Sequence, residues 1–159
     1  MKSTLQIFVL AFAVILLNSQ ESYSQVSAGA GMAFGSDIEQ VGVQADLHYR
    51  LVNQPAFSFG GGFIYYFPKD DHNFIEANIN GAYHFYEEFM FKSYLYTGLN
   101  YARSKLDFNN GSVSDSALGL NLGIGAEYDF GRLLAFGDLK YVISDFDQAV
   151  FSVGLRWPF

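Results

Sequence analysis

Three histidines, His48, His72 and His84, are the side chains whose ordinary pKa lies nearest neutral pH, and so the first candidates for metal binding or acid–base work. They do not converge. His48 and His84 alternate with apolar residues in two separate segments, and His72 lies in a polar stretch beside Asp70 and Asp71, with no motif tying it to a nearby serine. There is no cysteine, which excludes thiolate metal ligands, cysteine nucleophiles and disulfide staples. The expected cofactor complement is therefore none, and so are the expected catalytic and metal-binding sets.

The other chemistry-bearing residues are charged. Asp46, Glu76, Glu127, Asp129 and Asp138, with Arg50, Lys92, Lys140 and Arg156, all sit at alternate positions in segments whose intervening positions are apolar. Such near-balanced charge on one face fits either an ion path or a salt-bridged filling of a narrow interior. Adjacent-segment geometry predicts that Lys92 pairs with Glu127 or Asp129. A second acidic set, Asp37, Glu39, Asp70, Asp71, Asp107, Asp115, Asp145 and Asp147, falls in connectors and reads mainly as solvated loop charge, with divalent-cation binding as its functional alternative. The net charge of −7 argues against nucleic acid, which needs a basic face.

What positions these residues is a period of two. From Val26 onward apolar residues recur at every second place, the signature of strands whose faces meet different surroundings. Val41, Val43, Ala45, Leu47 and Tyr49 alternate with Gly42, Gln44, Asp46, His48 and Arg50, and Leu118 to Phe130 alternates with Gly119, Asn121, Gly123, Gly125, Glu127 and Asp129. Eight such segments follow one another. In the fifth, Phe91, Leu95, Leu99 and Tyr101 share a face with Ser93 and Thr97, opposite Lys92, Tyr94, Tyr96, Gly98 and Asn100. Short connectors at Asn53–Pro55, Glu87–Glu88 and Gly131–Arg132 alternate with mostly longer ones at Ser36–Gln40, Pro68–Asn73, Leu106–Asp115 and Ser144–Gln148.

The first residues form a separate unit. Lys2 precedes an apolar run from Leu5 to Leu17, too short to span a bilayer as a helix, and Ser22-Tyr23-Ser24 supplies small residues at −3 and −1. This predicts a signal peptide over 1–24, cleaved before Gln25, and a single domain over 25–159.

Which face looks inward follows from cost. The charged face cannot line an apolar ligand cavity, and the many Phe, Tyr and Leu side chains of the other face overfill an eight-stranded interior that is only just wide enough for side chains. A glycine-rich polar face fits inside, and a greasy face fits lipid. Closed barrels are among the few structures that satisfy every backbone group in hydrocarbon. Aromatic residues gather near both ends of the segments: Tyr49, Phe57, Tyr83, Phe85, Tyr128 and Trp157 at one, and Phe34, Tyr65, Phe67, Phe74, Tyr101 and Phe151 at the other. Two interfacial girdles are expected.

The end of the chain, Ser152-Val153-Gly154-Leu155-Arg156-Trp157-Pro158-Phe159, resembles the β-signal of bacterial outer-membrane proteins, with Ser152, Gly154, Trp157 and Phe159 at its positions. Pro158 departs from it, since it cannot donate a ladder hydrogen bond. With the alternating segments and the leader, the mature chain resembles the small OmpA/OmpX-type barrels. The resemblance implies an all-β, eight-stranded antiparallel up-and-down transmembrane barrel in the cell outer membrane. Its implied partners are outer-membrane lipid and lipopolysaccharide, the outer-membrane assembly machinery and a larger membrane complex. Some barrels of this size modify lipid A with a His, a Ser and an acid near the outer surface, and only His72 lies at that height. The expected role is structural or interactive, with a narrow porin-like channel as the alternative, suggested by inward Asn78, Asn80, Asn100 and Asn121, and a lipid A-modifying enzyme behind it.

Overall fold

The computed structural model describes residues 25–69, 72–108 and 111–159, with the backbone alone at 107 and 108. The expected signal peptide and Asp70 and Asp71 lie outside the described residues, as does the side chain of Asp107. Eight strands follow in order: β1 (Val26–Gly35), β2 (Gln40–Arg50), β3 (Phe57–Lys69), β4 (His72–Glu88), β5 (Phe91–Phe108), β6 (Gly111–Asp129), β7 (Leu134–Ile143) and β8 (Gln148–Pro158). Each pairs antiparallel with its neighbours, and β8 pairs with β1 to close a barrel. Phe159 N–H donates to the Val26 carbonyl (3.0 Å), so the closing seam runs to the last residue.

The register fixes the size of the barrel. A single row of cross-strand partners leads from Ser116 through Arg103, Ile75, Tyr65, Val43, Met32, Val153 and Gly137 back to β6 at Ala126, ten residues from its start. A shift of ten residues at ~3.3 Å each, over eight strands ~4.8 Å apart, tilts the strands by about 40° and gives a radius of about 8 Å. Such a lumen holds side chains and little else.

The faces divide as the alternation predicts. Leu118 (78% exposed), Ile79 (69%) and Leu99 (60%) point outward, and Asp46, Asn78, Asn100 and Asn121 are buried inside. In β5, Tyr94 and Asn100 are inside and Leu95 and Leu99 outside. Inward glycines make room for large inward neighbours. A Cβ on Gly125 would collide with the Asp138 carboxylate and the Tyr94 ring, and one on Gly123 would collide with Tyr96.

Three expectations need correction. The connectors drawn at Pro68–Asn73 and Leu106–Asp115 are largely strand: Ser104 pairs with Asp115, Lys105 with Ser114 and Leu106 with Val113. Polar residues on both faces hide a strand from an alternation test, because a hairpin standing above the membrane has no greasy side. Phe74 does not join the outer girdle; it is 1% exposed, on the same inward parity as Glu76. Finally, Glu87 and Glu88 belong to β4, which carries a bulge between His84 and Tyr86. Phe85 is the extra residue, and beyond it the parity reverses, bringing Glu87 opposite Lys92.

Candidate functional site

The inward side chains stack in layers along the barrel axis. At the end away from the termini the lumen is apolar. Ala33, Ile64, Tyr66, Phe74, Ala102, Val142 and Val150 form one buried cluster, with Ile38 and Phe146 packed against it. Phe74 meets Tyr66 and Phe146 edge-on, with ring centroids 5.6 and 5.7 Å apart. This apolar layer was not anticipated. Its signal was present: Ile64, Phe74, Val142 and Val150 all fall on the inward parity of their strands.

Below it lies a network centred on Glu76, which is 0% exposed. One of its oxygens accepts from Tyr66 Oη (3.0 Å) and Gln148 Nε2 (2.6 Å), the other from Asn100 Nδ2 (3.0 Å) and Lys140 Nζ (2.5 Å). Asn78 Oδ1 also accepts from Lys140 (3.0 Å), and from Asn100 and Asn121 (both 2.9 Å), and Asn121 donates on to Asn80 (2.8 Å). The four asparagines thus bond to one another and to charged groups. A carboxylate with four donors and an ammonium at one of them meets the conditions under which a buried ion is tolerated.

The next layer is organised by Arg156, 1% exposed. Its guanidinium donates to Asp46 (2.9 Å), Glu127 (2.5 Å), Asp138 (3.3 Å) and the Tyr94 hydroxyl (3.0 Å), and lies over the Phe136 ring 4.0 Å from its centroid. Tyr94 Oη in turn donates to Asp138 (2.6 Å), and His48 Nε2 stands 3.3 Å from Asp46. Three carboxylates around one guanidinium use the five-donor fork of arginine as a hub, which a lysine could not do. Between the Glu76 and Arg156 layers, against Gly60, Gly61 and Gly62, is a cavity of about 60 Å³ lined by Asn78, Tyr96, Asp138, Lys140 and Arg156.

At the mouth nearest the termini Arg50 grips Glu87 through both terminal guanidinium nitrogens, and its Nε donates to the Pro55 carbonyl (2.7 Å). Lys92 stands 3.5 Å from the same Glu87. The expected pairing of Lys92 with Glu127 or Asp129 is therefore corrected. Lys92 is indeed the cross-strand partner of Glu127, but Glu127 is drawn to Arg156, and Asp129 accepts from Gly131 N–H in the following turn (2.6 Å). The Phe85 bulge supplies Glu87 instead. Of the nine charges read as interior, the structure joins Glu76 with Lys140, and Arg156 with Asp46, Glu127 and Asp138. Arg50 and Lys92 share Glu87 at the rim, and Asp129 serves a turn.

Two histidines have serine partners that the sequence did not suggest. His84 Nε2 lies 2.9 Å from Ser58 Oγ, and His72 Nε2 lies 2.6 Å from Ser104 Oγ. Ser104 stands in the upper part of β5. Both pairs occupy inward parities, and no carboxylate bonds His72 among the described residues. No group of His, Asp and Glu suited to a metal ion occurs among the described residues.

The terminal-strand residues are placed by the seam. Ser152 (4% exposed) faces inward, opposite Asp138. Gly154 faces Gly31, where a Cβ would meet the Gly31 Cα at 2.6 Å. Trp157 points outward at 39% exposure.

A closed eight-stranded barrel with a charged, filled lumen and an uncharged apolar exterior is an integral membrane barrel. The chain belongs to the outer membrane protein beta-barrel domain family, whose model matches residues 8–159, and its place is the outer membrane. No curated protein matches it. Among solved structures it is similar to the N-terminal barrel domain of OprF from Pseudomonas aeruginosa, with 15% identity, TM-score 0.72, and coverage of 88% of this chain and 100% of that one. It is also similar to Ail, the attachment invasion locus protein of Yersinia pestis, with 17% identity, TM-score 0.62, and coverage of 86% and 97%. Neisserial surface protein A follows with 20% identity, TM-score 0.60, and coverage of 84% and 96%. At these identities the likeness carries the fold.

Proposed function

We propose that this protein is a closed outer-membrane barrel with a structural or interaction role, its lumen a packed core rather than a passage. The observation that supports this is the stacking of obstructions: the Phe74–Tyr66 apolar layer, the Glu76–Lys140 network and the Arg156 hub follow one another within one narrow bore. The cavity of about 60 Å³ is of water scale and lies between two of them. The asparagines that favour a channel are engaged with each other and with Glu76 and Lys140. Planar-bilayer recording tests the reading. Purified protein should show no steady unitary current, and a reproducible single-channel conductance would establish the channel instead.

The Ser104–His72 contact is the one feature that favours an enzyme. It lies on the face turned away from lipid, so an acyl chain in the membrane has no route to the serine hydroxyl except through the barrel mouth. Lipid A from cells expressing the protein should give an unchanged mass spectrum. Loss or gain of an acyl chain that depends on Ser104 would replace the structural reading with an enzymatic one. The partners, namely outer-membrane lipid and lipopolysaccharide, the assembly machinery and a larger membrane complex, belong to the same proposal and are testable by crosslinking in cells.

A further inference from the structure

The seam that closes the barrel is bare on its inner side. The inward residues of β1 are Ser27, Gly29, Gly31, Ala33 and Gly35, so this strand brings no large side chain to the lumen. A glycine-rich strand has little of its own to pack and is weakly held by its ladder alone. Side chains of other strands reach over it instead. Arg156, Gly29 and Asp46 are successive partners in one row across β8, β1 and β2. Arg156 Nε donates to Asp46 Oδ1 (2.9 Å) over the strand between them, and a Cβ on Gly29 would lie 2.5 Å from the Asp46 carboxylate. The adjacent row is Phe136, Gly154 and Gly31, across β7, β8 and β1. There the Phe136 ring lies on both glycines, 2.6 Å from where a Cβ of Gly154 would stand and 3.1 Å from one on Gly31. Arg156 stacks on that same ring, 4.0 Å from its centroid.

The guanidinium divides its donors by side of the seam. Nη1 and Nη2 hold Tyr94, Glu127 and Asp138, which stand on β5, β6 and β7, strands joined to β8 without the seam. Nε alone holds β2, which comes beside β8 only when β1 is in place. We propose that Arg156 and Phe136 form a latch over the β1–β8 seam. Tyr94, Glu127 and Asp138 seat the guanidinium on the open sheet, and closure brings Gly29 beneath the Arg156–Asp46 bond and Gly31 beneath the Phe136 ring. Asp46 is held ready on β2, with Gln44 Nε2 donating to its other oxygen (3.0 Å) and His48 Nε2 3.3 Å from the first. Opening the seam again would take Asp46 from its arginine and Phe136 from its floor, so the latch resists lateral opening of the barrel. Any side chain at Gly29 or Gly31 would stand where the latch lies. The latch needs a closed ring and not a blocked lumen, so a conducting barrel would keep it.

The test is backbone hydrogen exchange of the full barrel in detergent, read strand by strand, since exchange reports local opening. In Asp46→Asn the amides that pair across the β1–β8 seam should exchange roughly tenfold faster than in wild type, a hydrogen bond between charged groups being worth at least that factor, while those of the β4–β5 ladder stay unchanged. Glu127→Gln takes a carboxylate from the same guanidinium on the side away from the seam, and should not speed the seam amides selectively. Gly29→Ala keeps every charge but sets a methyl where the Asp46 carboxylate lies, and should speed the same amides as Asp46→Asn. Phe136→Leu keeps the charges and most of the apolar volume, and should loosen the seam around Gly31 and Gly154; it carries the test if the other two do not fold. Heat-modifiable gel mobility establishes that each variant is folded. Seam amides that exchange as in wild type would overturn the proposal. So would exchange raised equally in every strand, which would make Asp46 and Phe136 ordinary core residues.

Discussion

Lys140 of β7 and Glu76 of β4 lie three strands apart around the ring, yet their side chains meet at 2.5 Å. The contact crosses the lumen, tying opposite walls together, and both groups are nearly excluded from solvent, at 7% and 1% side-chain exposure. Removing one partner leaves the other ion buried without its counter-charge, a loss of about 3–5 kcal/mol. Glu76→Gln and Lys140→Met should each lower stability by that order, whereas the double substitution should cost much less than the two together. Urea unfolding of the barrel in detergent measures all three. Additive effects would show that the pair is not energetically coupled.

Two glycines, Gly125 facing inward and Gly137 facing outward, make a sharper prediction. At Gly125 an added methyl would run into the Asp138 carboxylate and the Tyr94 ring, both held by Arg156, whereas at Gly137 nothing lies within 4 Å. Gly125→Ala should therefore cost about 1–3 kcal/mol through overpacking, and Gly137→Ala should be near neutral. Unfolding midpoints of the two variants compare them directly. A harmless Gly125→Ala would mean that the Arg156 hub can give way.

The two glycines also mark what was legible in the sequence. Period two identified the strands, and the price of burying Asp46, Glu127 and Arg156 in an apolar pocket settled which face turns inward. Pair identities were not legible, because Glu76 with Lys140 and Arg156 with Asp138 follow from distances across or around the bore, not from adjacency along the chain. The apolar layer of Phe74, Val142 and Val150 was readable by parity but masked by assigning Phe74 to the outer girdle. The upper β5–β6 hairpin was hidden because Ser112, Ser114, Asp115 and Ser116 are loop-like in composition. There, cross-strand pairing makes the strand and composition does not.

The bulge in β4 yields a third prediction. His84 pairs with Tyr94 and Tyr86 with Ser93, so Phe85 is an insertion between consecutive rungs. Deleting one residue inside a strand ordinarily turns every later side chain to the wrong face. Deleting Phe85 should instead close the bulge, leave Glu87 opposite Lys92 and preserve the folded, heat-modifiable barrel. Deleting Ile79, within the regular ladder of the same strand, should abolish it. Equal behaviour of the two deletions would show that Glu87 reaches the rim for some other reason.

The last prediction concerns Phe159. Its amide closes the seam to Val26 at 3.0 Å, and it occupies the final place of the segment that resembles an assembly signal. A single terminal backbone hydrogen bond is worth about 1 kcal/mol, and strand ends fray in any case, so the seam can lose this residue and still form. If the residue is also read during insertion, its removal should hurt far more in cells than in a test tube. Deleting Phe159 should strongly reduce the membrane-inserted fraction in cells while purified protein refolds into detergent almost normally. Phe159→Tyr should be mild in both, because it keeps an interfacial aromatic. Parallel measurement of inserted protein and of refolding yield separates the two roles: a matched loss in both assigns Phe159 to the seam alone, and a matched retention in both removes it from recognition.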